Sequence, residues 1–266
     1  MSETNNKATI SLVLPYYNEV GFIEATLSSI AGQRCRDFVL ILVNNASSDE
    51  SEAICRTLTS TWNDIHVVHC QEHEPGKIHA LRHGIAKVET TVFATLDADT
   101  IYPPDYVGFI SAQFAIHQDS VMVMAADIYG NSAAPAQRMR CWAILLLSKL
   151  FPHKCHTGAF GQAFRTREFR EAGGYDPNLW DFVLEDHEIV HRVGKLGRQV
   201  YSAHHFCAPS SRRANRTAVT WNRFESLLYT LLPNRWMDWY FYRFLAKRFS
   251  ARGLGNKNLR AQPWMD

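Results

Sequence analysis

In the first hundred residues, short apolar runs alternate with stretches of helical periodicity. This alternation constrains the chain more than any other feature of its sequence. Residues 10–14 (ISLVL), 38–43 (FVLILV), 65–69 (IHVVH) and 91–96 (TVFATL) read as strands. Between them, residues 19–31 carry Ile23, Leu27 and Ile30 on one helical face, and residues 77–86 have helical character. The Ser47-Ser48-Asp49-Glu50 cluster supplies helix-start chemistry between the second and third runs. Near-continuous apolar strands separated by helices predict an open, mostly parallel α/β sheet with helices on both faces. Such sheets bind ligands beyond the carboxyl ends of their strands. Polar motifs stand at those ends: residues 15–19, 44–49 and 97–99.

The second half is less regular. Residues 121–128, 158–165 and 199–206 read as strands, residues 136–150 and 185–194 as helices, and Gly173-Gly174 as a turn. The longest apolar run, residues 141–151 (CWAILLLSKLF), falls well short of the ~20 residues a membrane-crossing helix needs, and Lys149 interrupts it. No basic and apolar leader opens the chain, so the expectation is a soluble protein, or a peripheral one. Six cysteines at 35, 55, 70, 141, 155 and 207 lack zinc-like or disulfide-like spacing, which favours free thiols in a reducing, cytoplasmic setting.

Two acidic clusters are candidates for chemistry. Asp97-Ala98-Asp99 directly follows an apolar strand. Two carboxylates one residue apart in a loop can converge on a hard divalent cation, leaving coordination positions for diphosphate oxygens. A solvated turn is the plain alternative. Leu184-Glu185-Asp186-His187-Glu188 follows a Gly-Gly-Tyr-Asp-Pro turn and opens a helix. Acids in a first turn are ordinary partners of the helix dipole. The functional reading makes one of them a general base aimed at a substrate hydroxyl.

The order of these blocks resembles the family 2 glycosyltransferases of GT-A fold. The resemblance rests on Val13 to Glu19 (VLPYYNE), Val43 to Asp49 (VNNASSD), Leu96 to Asp99 (LDAD), and the stretch from Gly158 to Asp186 with its Phe164-Arg165, Gly173-Gly174-Tyr175-Asp176 and Glu185-Asp186 pieces. Together with Gly76-Lys77 and Ser211-Arg212-Arg213 it covers about residues 8–215. It implies that Pro15, Tyr17 and Glu19 cradle the nucleotide, and that Asn45 stands where relatives carry a base-reading aspartate. That departure changes an acceptor into a group that both donates and accepts, and leaves the bound base open. It further implies that Lys77 and Asp97 contact the nucleotide, that Asp97 and Asp99 hold Mn2+ or Mg2+, that Asp186 is the general base, and that Arg212 and Arg213 meet phosphate or acceptor. The implied activity is metal-dependent inverting transfer from a nucleotide-sugar donor to a hydroxyl of a glycan or lipid-linked acceptor, in cell-envelope or other polysaccharide assembly. His204 or His205 could complete a metal shell, but a histidine at a strand end is more often structural.

Residues 212–260 hold eleven Arg and Lys against Glu225 and Asp238, with ten aromatics between Trp221 and Phe249. The expected division is therefore a glycosyltransferase-like domain over 1–215 and a basic-aromatic helical extension over 216–266. That extension suits an anionic membrane surface better than nucleic acid, for which no partner is expected. The plain alternative is a packed helical pair around Pro233, with its cations snorkelling outward. Two rival functions remain at this stage. A nucleotidyltransferase would open on a Gly-rich, basic phosphate loop, which Pro15-Tyr16-Tyr17-Asn18-Glu19 is not. A non-catalytic carbohydrate-binding protein would have little use for Asp97, Asp99 and Asp186 together.

Overall fold

Strand β1 (Ile10–Tyr16) is buried along its whole length and pairs in parallel with both β2 (Phe38–Asn44) and β4 (Val92–Thr95). The computed structural model describes residues 9–127, 135–210 and 220–257. Strand β3 (His66–Gln71) extends the parallel set beyond β2. On the other side, β7 (Gln162–Arg165) runs antiparallel to β4 and to β6 (Ser120–Asp127), and β8 (Arg198–Phe206) closes the far edge in parallel with β6. Among the described residues the main sheet has seven strands in the order β3-β2-β1-β4-β7-β6-β8. A small second sheet pairs β5 (Thr100–Ile101) with β9 (Ala208–Pro209).

The two faces of the sheet explain the unbroken apolar runs. Leu12, Leu14, Leu40 and Leu42 face one core, where they meet Ile23 and Leu27 of α1 (Ile23–Ala31) and Val107 and Ile110 of α4 (Tyr106–Ile116). Val13, Ile41, Val43 and Phe93 face the other, with Ile78 and Leu81 of α3 (Lys77–Ala86) and Phe169 of α6 (Thr166–Glu171). Alternate side chains along one strand therefore enter different cores, and both must be apolar.

The helical expectations over 77–86 and 136–150 correspond to α3 and α5 (Pro135–Leu150). Helix α7 (Glu185–Val193) and α2 (Ser51–Thr59) likewise form where they were expected. The expected strand over 158–165 is shorter, because Ala159–Gly161 forms a 3-10 turn before β7 begins. A side chain at Gly161 would strike Ala125 Cβ at 2.6 Å, so the backbone there lies directly on β6. The helix expected from residue 19 starts at Ile23, after a loop whose hydrogen bonds bind it to residues 47–51. Ile128, the last residue of one expected strand, lies outside the described residues.

The C-terminal segment belongs to the same core. Helix α8 (Arg223–Leu231) is followed beyond Pro233 by a helical run from Met237, with a π-helical stretch over Tyr240–Leu245. Met237, Tyr240, Phe241, Leu245 and Phe249 are buried against Trp180, Ile189 and Val190. The wider helical turn inside this run moves its apolar residues off ordinary helical spacing. Glu225 is fully buried, and Arg248 and Arg252 pair with it at 2.5 and 2.7 Å.

Candidate active site

Side-by-side parallel pairing brings the carboxyl ends of β1, β2 and β4 together: Tyr16 is registered with Asn44, and Val13 with Thr95. The polar motifs after those strands consequently meet. Asn18 Nδ2 donates to Ser48 Oγ and Asn18 Oδ1 accepts from the Ser48 N–H, at 3.2 and 2.8 Å. The Glu19 N–H donates to Ser51 Oγ at 2.8 Å, and the Glu19 carboxyl group is buried. Pro15 is buried within β1, and Tyr17 is half-buried just beyond it.

Among the described residues, three non-glycine residues have positive φ: Asn18 (51°), Ala46 (56°) and Leu184 (63°). All lie in or beside the motifs the sequence singled out. A left-handed backbone at such residues costs about 1–3 kcal/mol and persists where surrounding structure enforces it. Here the enforcing contacts are the loop-to-loop hydrogen bonds and, for Leu184, its place as the residue leading into α7.

Asn45 acts on the next loop. Its Nδ2 donates to the carbonyls of Glu72 and Glu74 at 3.2 and 2.7 Å, and its Oδ1 accepts from the Gly76 N–H at 3.0 Å. A carboxylate could not make the two donations. Gly76, with φ 137°, turns the chain into α3 and so presents Lys77.

Lys77 joins the two acidic clusters. Its Nζ donates to Asp97 Oδ1 at 2.7 Å and lies 3.6 Å from Glu185 Oε1. Burial works against the ammonium, but Asp97, Glu185 and Asp186 outweigh it and hold the Lys77 pKa above its ordinary value. Asp97 and Asp99 are each only 7% exposed. The Asp97 N–H donates to Tyr102 Oη at 2.8 Å, and Thr26 Oγ1 donates to the Ala98 carbonyl at 2.8 Å, so the turn is held from both sides. Asp99 accepts from Ser210, through its carbonyl from the N–H (2.8 Å) and through Oδ2 from the hydroxyl (3.2 Å). Ser210 immediately precedes residues 211–219; Arg212 and Arg213 therefore lie outside the described residues.

Asp186 sits one residue into α7 and is tightly placed. Its Oδ2 accepts from the Ala159 N–H at 3.1 Å, and its Oδ1 lies 2.9 Å from both the backbone N and the Nδ1 of His187. A carboxylate only accepts, so Nδ1 carries the hydrogen. The His187 ring is gripped edge-on by Trp221 (4.8 Å) and Tyr229 (5.7 Å). Burial would raise the Asp186 pKa, but His187 and Lys77 overcome it and hold it below the usual carboxylate range. Glu185 goes the other way. Burial raises its pKa, Lys77 opposes this, and the neighbouring Asp186 charge adds to the rise. Glu188 is occupied elsewhere: Arg192 grips it at 2.6 and 2.8 Å and Tyr242 Oη donates to it at 2.6 Å.

The family model described as Glycosyl transferase family 2 matches residues 11–172. The chain belongs to this family. It is thus an enzyme, a glycosyltransferase, and its architecture is the GT-A fold. This family 2 glycosyltransferase is 27% identical over 182 residues to a PGL/p-HBAD biosynthesis glycosyltransferase of Mycobacterium bovis (strain BCG / Pasteur 1173P2), covering 65% of this chain and 68% of that protein. It is 37% identical over 95 residues to the teichoic acid poly(glycerol phosphate) polymerase of Staphylococcus epidermidis, but over only 13% of that longer chain. The mannosyltransferase PcManGT from Pyrobaculum calidifontis, solved with GDP-Man and Mn2+, superposes with a TM-score of 0.68 at 20% identity. That match covers 84% of this chain and 63% of PcManGT. S. aureus TarS 1-349 with UDP-GlcNAc gives 0.58 at 16% identity over 91% and 73% of the two chains.

In this glycosyltransferase the fit to a divalent cation is one of chemistry. Two buried carboxylates supply hard oxygen donors. Among the described residues no group of three or more His, Cys, Asp or Glu side chains is arranged to hold a metal ion. His205 is packed against Tyr106 and Phe109 in the core, and burial lowers its pKa to about 4. His204 is exposed. Sequence reasoning assigned no part to His187, Ala159 or Ser210. The adjacency of Asp186 and His187 was the available signal; the approach of the Ala159 N–H and of Ser210 depends on strand pairing.

Proposed function

We propose that this glycosyltransferase transfers a sugar, with inversion and with the help of Mn2+ or Mg2+, from a nucleotide-sugar donor to a hydroxyl of a glycan or lipid-linked acceptor in cell-envelope glycan assembly. The observation that carries this reading is the position of Lys77, which joins Asp97 to Glu185 and so brings the donor motif beside the helix bearing Asp186. Relatives named for PGL/p-HBAD biosynthesis and for teichoic acid synthesis support the envelope setting. Neighbours solved with GDP-Man and with UDP-GlcNAc support a nucleotide-sugar donor, with its base and sugar open.

In this reading Pro15, Tyr17 and Glu19 line the nucleotide pocket, and Asn45 shapes it by fastening residues 72–76. Lys77 and Asp97 border the donor, and Asp99 with Asp97 would hold the cation. A bound divalent cation would neutralise charge on the departing diphosphate. Arg212 and Arg213, two and three residues beyond Ser210, would meet the same phosphates or the acceptor. Asp186 takes the proton of the acceptor hydroxyl as its oxygen attacks the anomeric carbon. The bond to the diphosphate oxygen breaks on the opposite face, its electron pair stays with that oxygen, and the configuration inverts. A positioned base of this kind contributes about 10²–10⁴-fold. Residues 1–215 would carry this chemistry. The extension 216–266 would hold the protein peripherally on the inner face of a membrane, with Phe224, Leu227, Leu231, Trp236 and Trp239 exposed among its cations.

The test is a panel of nucleotide sugars with and without Mn2+ or Mg2+, read by thermal stabilisation and donor hydrolysis, followed by the anomeric configuration of the transferred sugar. Metal-dependent stabilisation by one donor and an inverted product are expected. Binding indifferent to metal, or a product that retains configuration, overturns the corresponding part of the reading.

A further inference from the structure

The apolar run at residues 141–151 is too short to cross a bilayer, and the site chemistry does not use it. In the structure it belongs to α5, which packs on the β6/β8 edge of the sheet through Ile144, with Cys141 and Leu145 beside it. Among the described residues nothing covers the opposite side. Met139 (71%), Trp142 (72%), Leu146 (58%) and Leu150 (61%) are exposed at spacings of three, four and four, which places them along one helical stripe. An apolar patch of this kind on a soluble surface marks an interaction site.

Charge decides what the stripe faces. Arg138, Arg140 and Lys149 occupy exposed positions on the same helix, and no Asp or Glu occurs between residues 128 and 167. A helix whose own formal charges are all positive repels its own copy and attracts an anionic surface. Trp142 suits the headgroup level of a bilayer, where aromatic rings concentrate. No helix among the described residues is long and apolar enough to cross a membrane, so α5 fits a surface-lying orientation. The chain leaving α5 is also tied to α8. The Cys155 N–H donates to Tyr229 Oη at 2.7 Å, and Lys154 Nζ lies 5.0 Å from the Tyr229 ring centroid.

We propose that the exposed stripe of α5 docks this protein on an anionic lipid bilayer, as a surface distinct in sequence from the C-terminal extension. The proposal goes beyond the extension's membrane reading and does not depend on the catalytic assignment. The experiment is sedimentation with phosphatidylcholine vesicles containing or lacking phosphatidylglycerol, at several salt concentrations, beside size-exclusion chromatography. The full-length parent should bind the anionic vesicles, less as salt shortens electrostatic reach. Trp142→Glu/Leu146→Glu should lower binding by about tenfold or more, since it replaces inserted apolar surface with repelled charge. Arg138→Gln/Arg140→Gln/Lys149→Gln leaves the apolar stripe intact and should remove most of the salt-dependent part. Circular dichroism and nucleoside diphosphate binding check that each variant is folded. Three results overturn the proposal: no parent binding to anionic vesicles, α5 variants that bind as the parent does while Leu227→Glu/Leu231→Glu alone fails, or a parent dimer that the α5 variants dissociate without any vesicle binding. Asp186→Asn should bind vesicles normally, which separates this proposal from the catalytic one.

Discussion

Glu185 and Asp186 are adjacent carboxyls whose surroundings push them apart: burial favours a protonated Glu185, while His187 and Lys77 favour an ionised Asp186. Neighbouring helical residues point about 100° apart, so the two cannot serve one hydroxyl together. Asp186→Asn should therefore lower kcat by about 10²-fold or more while donor affinity holds. Turnover within a few-fold of the parent would remove Asp186 from the base role. His187→Gln should cost less. Because His187 depresses the Asp186 pKa, its loss should move the acid limb of the kcat profile to higher pH, so activity is lost earlier as pH falls. An unmoved acid limb with lowered kcat would reduce His187 to packing. Asp99→Asn preserves shape and removes charge. Nucleoside diphosphate affinity measured with and without Mn2+ should then lose its metal-dependent part.

At the scale of elements, unusual backbone stands beside several candidate site residues: positive φ at Asn18, Ala46 and Leu184, and Gly76 before Lys77. Gly76 is the sharpest case, because its φ of 137° suits glycine and a Cβ there would approach His79 Cδ2 at 3.1 Å. Gly76→Ala should cost about 1–2 kcal/mol by urea unfolding, and should weaken nucleotide binding by displacing Lys77. Strand β8 carries a pH-sensitive element of a different kind. His205 titrates near 4 when folded against an ordinary 6.5, so its neutral form contributes stability fully above pH 6.5. That contribution is lost as pH falls toward 4, because the unfolded chain takes up the proton first. His205→Phe, placed between Tyr106 and Phe109, should lose less stability than the parent between pH 7 and pH 4.5.

For the whole molecule, the C-terminal run is structural before it is anything else. Phe241 is fully buried, stacks near His191 (5.6 Å) and meets Trp180 edge-on (5.4 Å). Phe241→Ala should cost about 3–5 kcal/mol in urea unfolding, the range for a large aromatic removed from a core. Truncation at residue 215 should leave no cooperatively folded protein, since Trp180 and α7 would lose their covering. A truncated chain that unfolds with the parent's midpoint would make the extension an independent appendage.

The order of strands and helices was legible from the sequence because burial on both sheet faces leaves an apolar run that no solvated segment needs. The polar stops at residues 15–19, 44–49 and 97–99 were legible for the same reason: they end those runs. Helix α4 was not, since its apolar residues are spread around it. The 3-10 turn before β7 was not either; its Gly161 lies against Ala125, far away in sequence. The partners of Asp186 were equally hidden: the Ala159 N–H reaches it across 27 residues, and the rings enclosing His187 come from residues 221 and 229. The local pattern of apolar and polar residues by itself determined the parallel strands of the first half, the helices between them and where the chemistry-bearing loops fall. Tertiary packing decided which of those loops meet, and which of two adjacent carboxyls has its pKa raised and which lowered, because burial and hydrogen bonding are set by residues that the chain brings together only on folding.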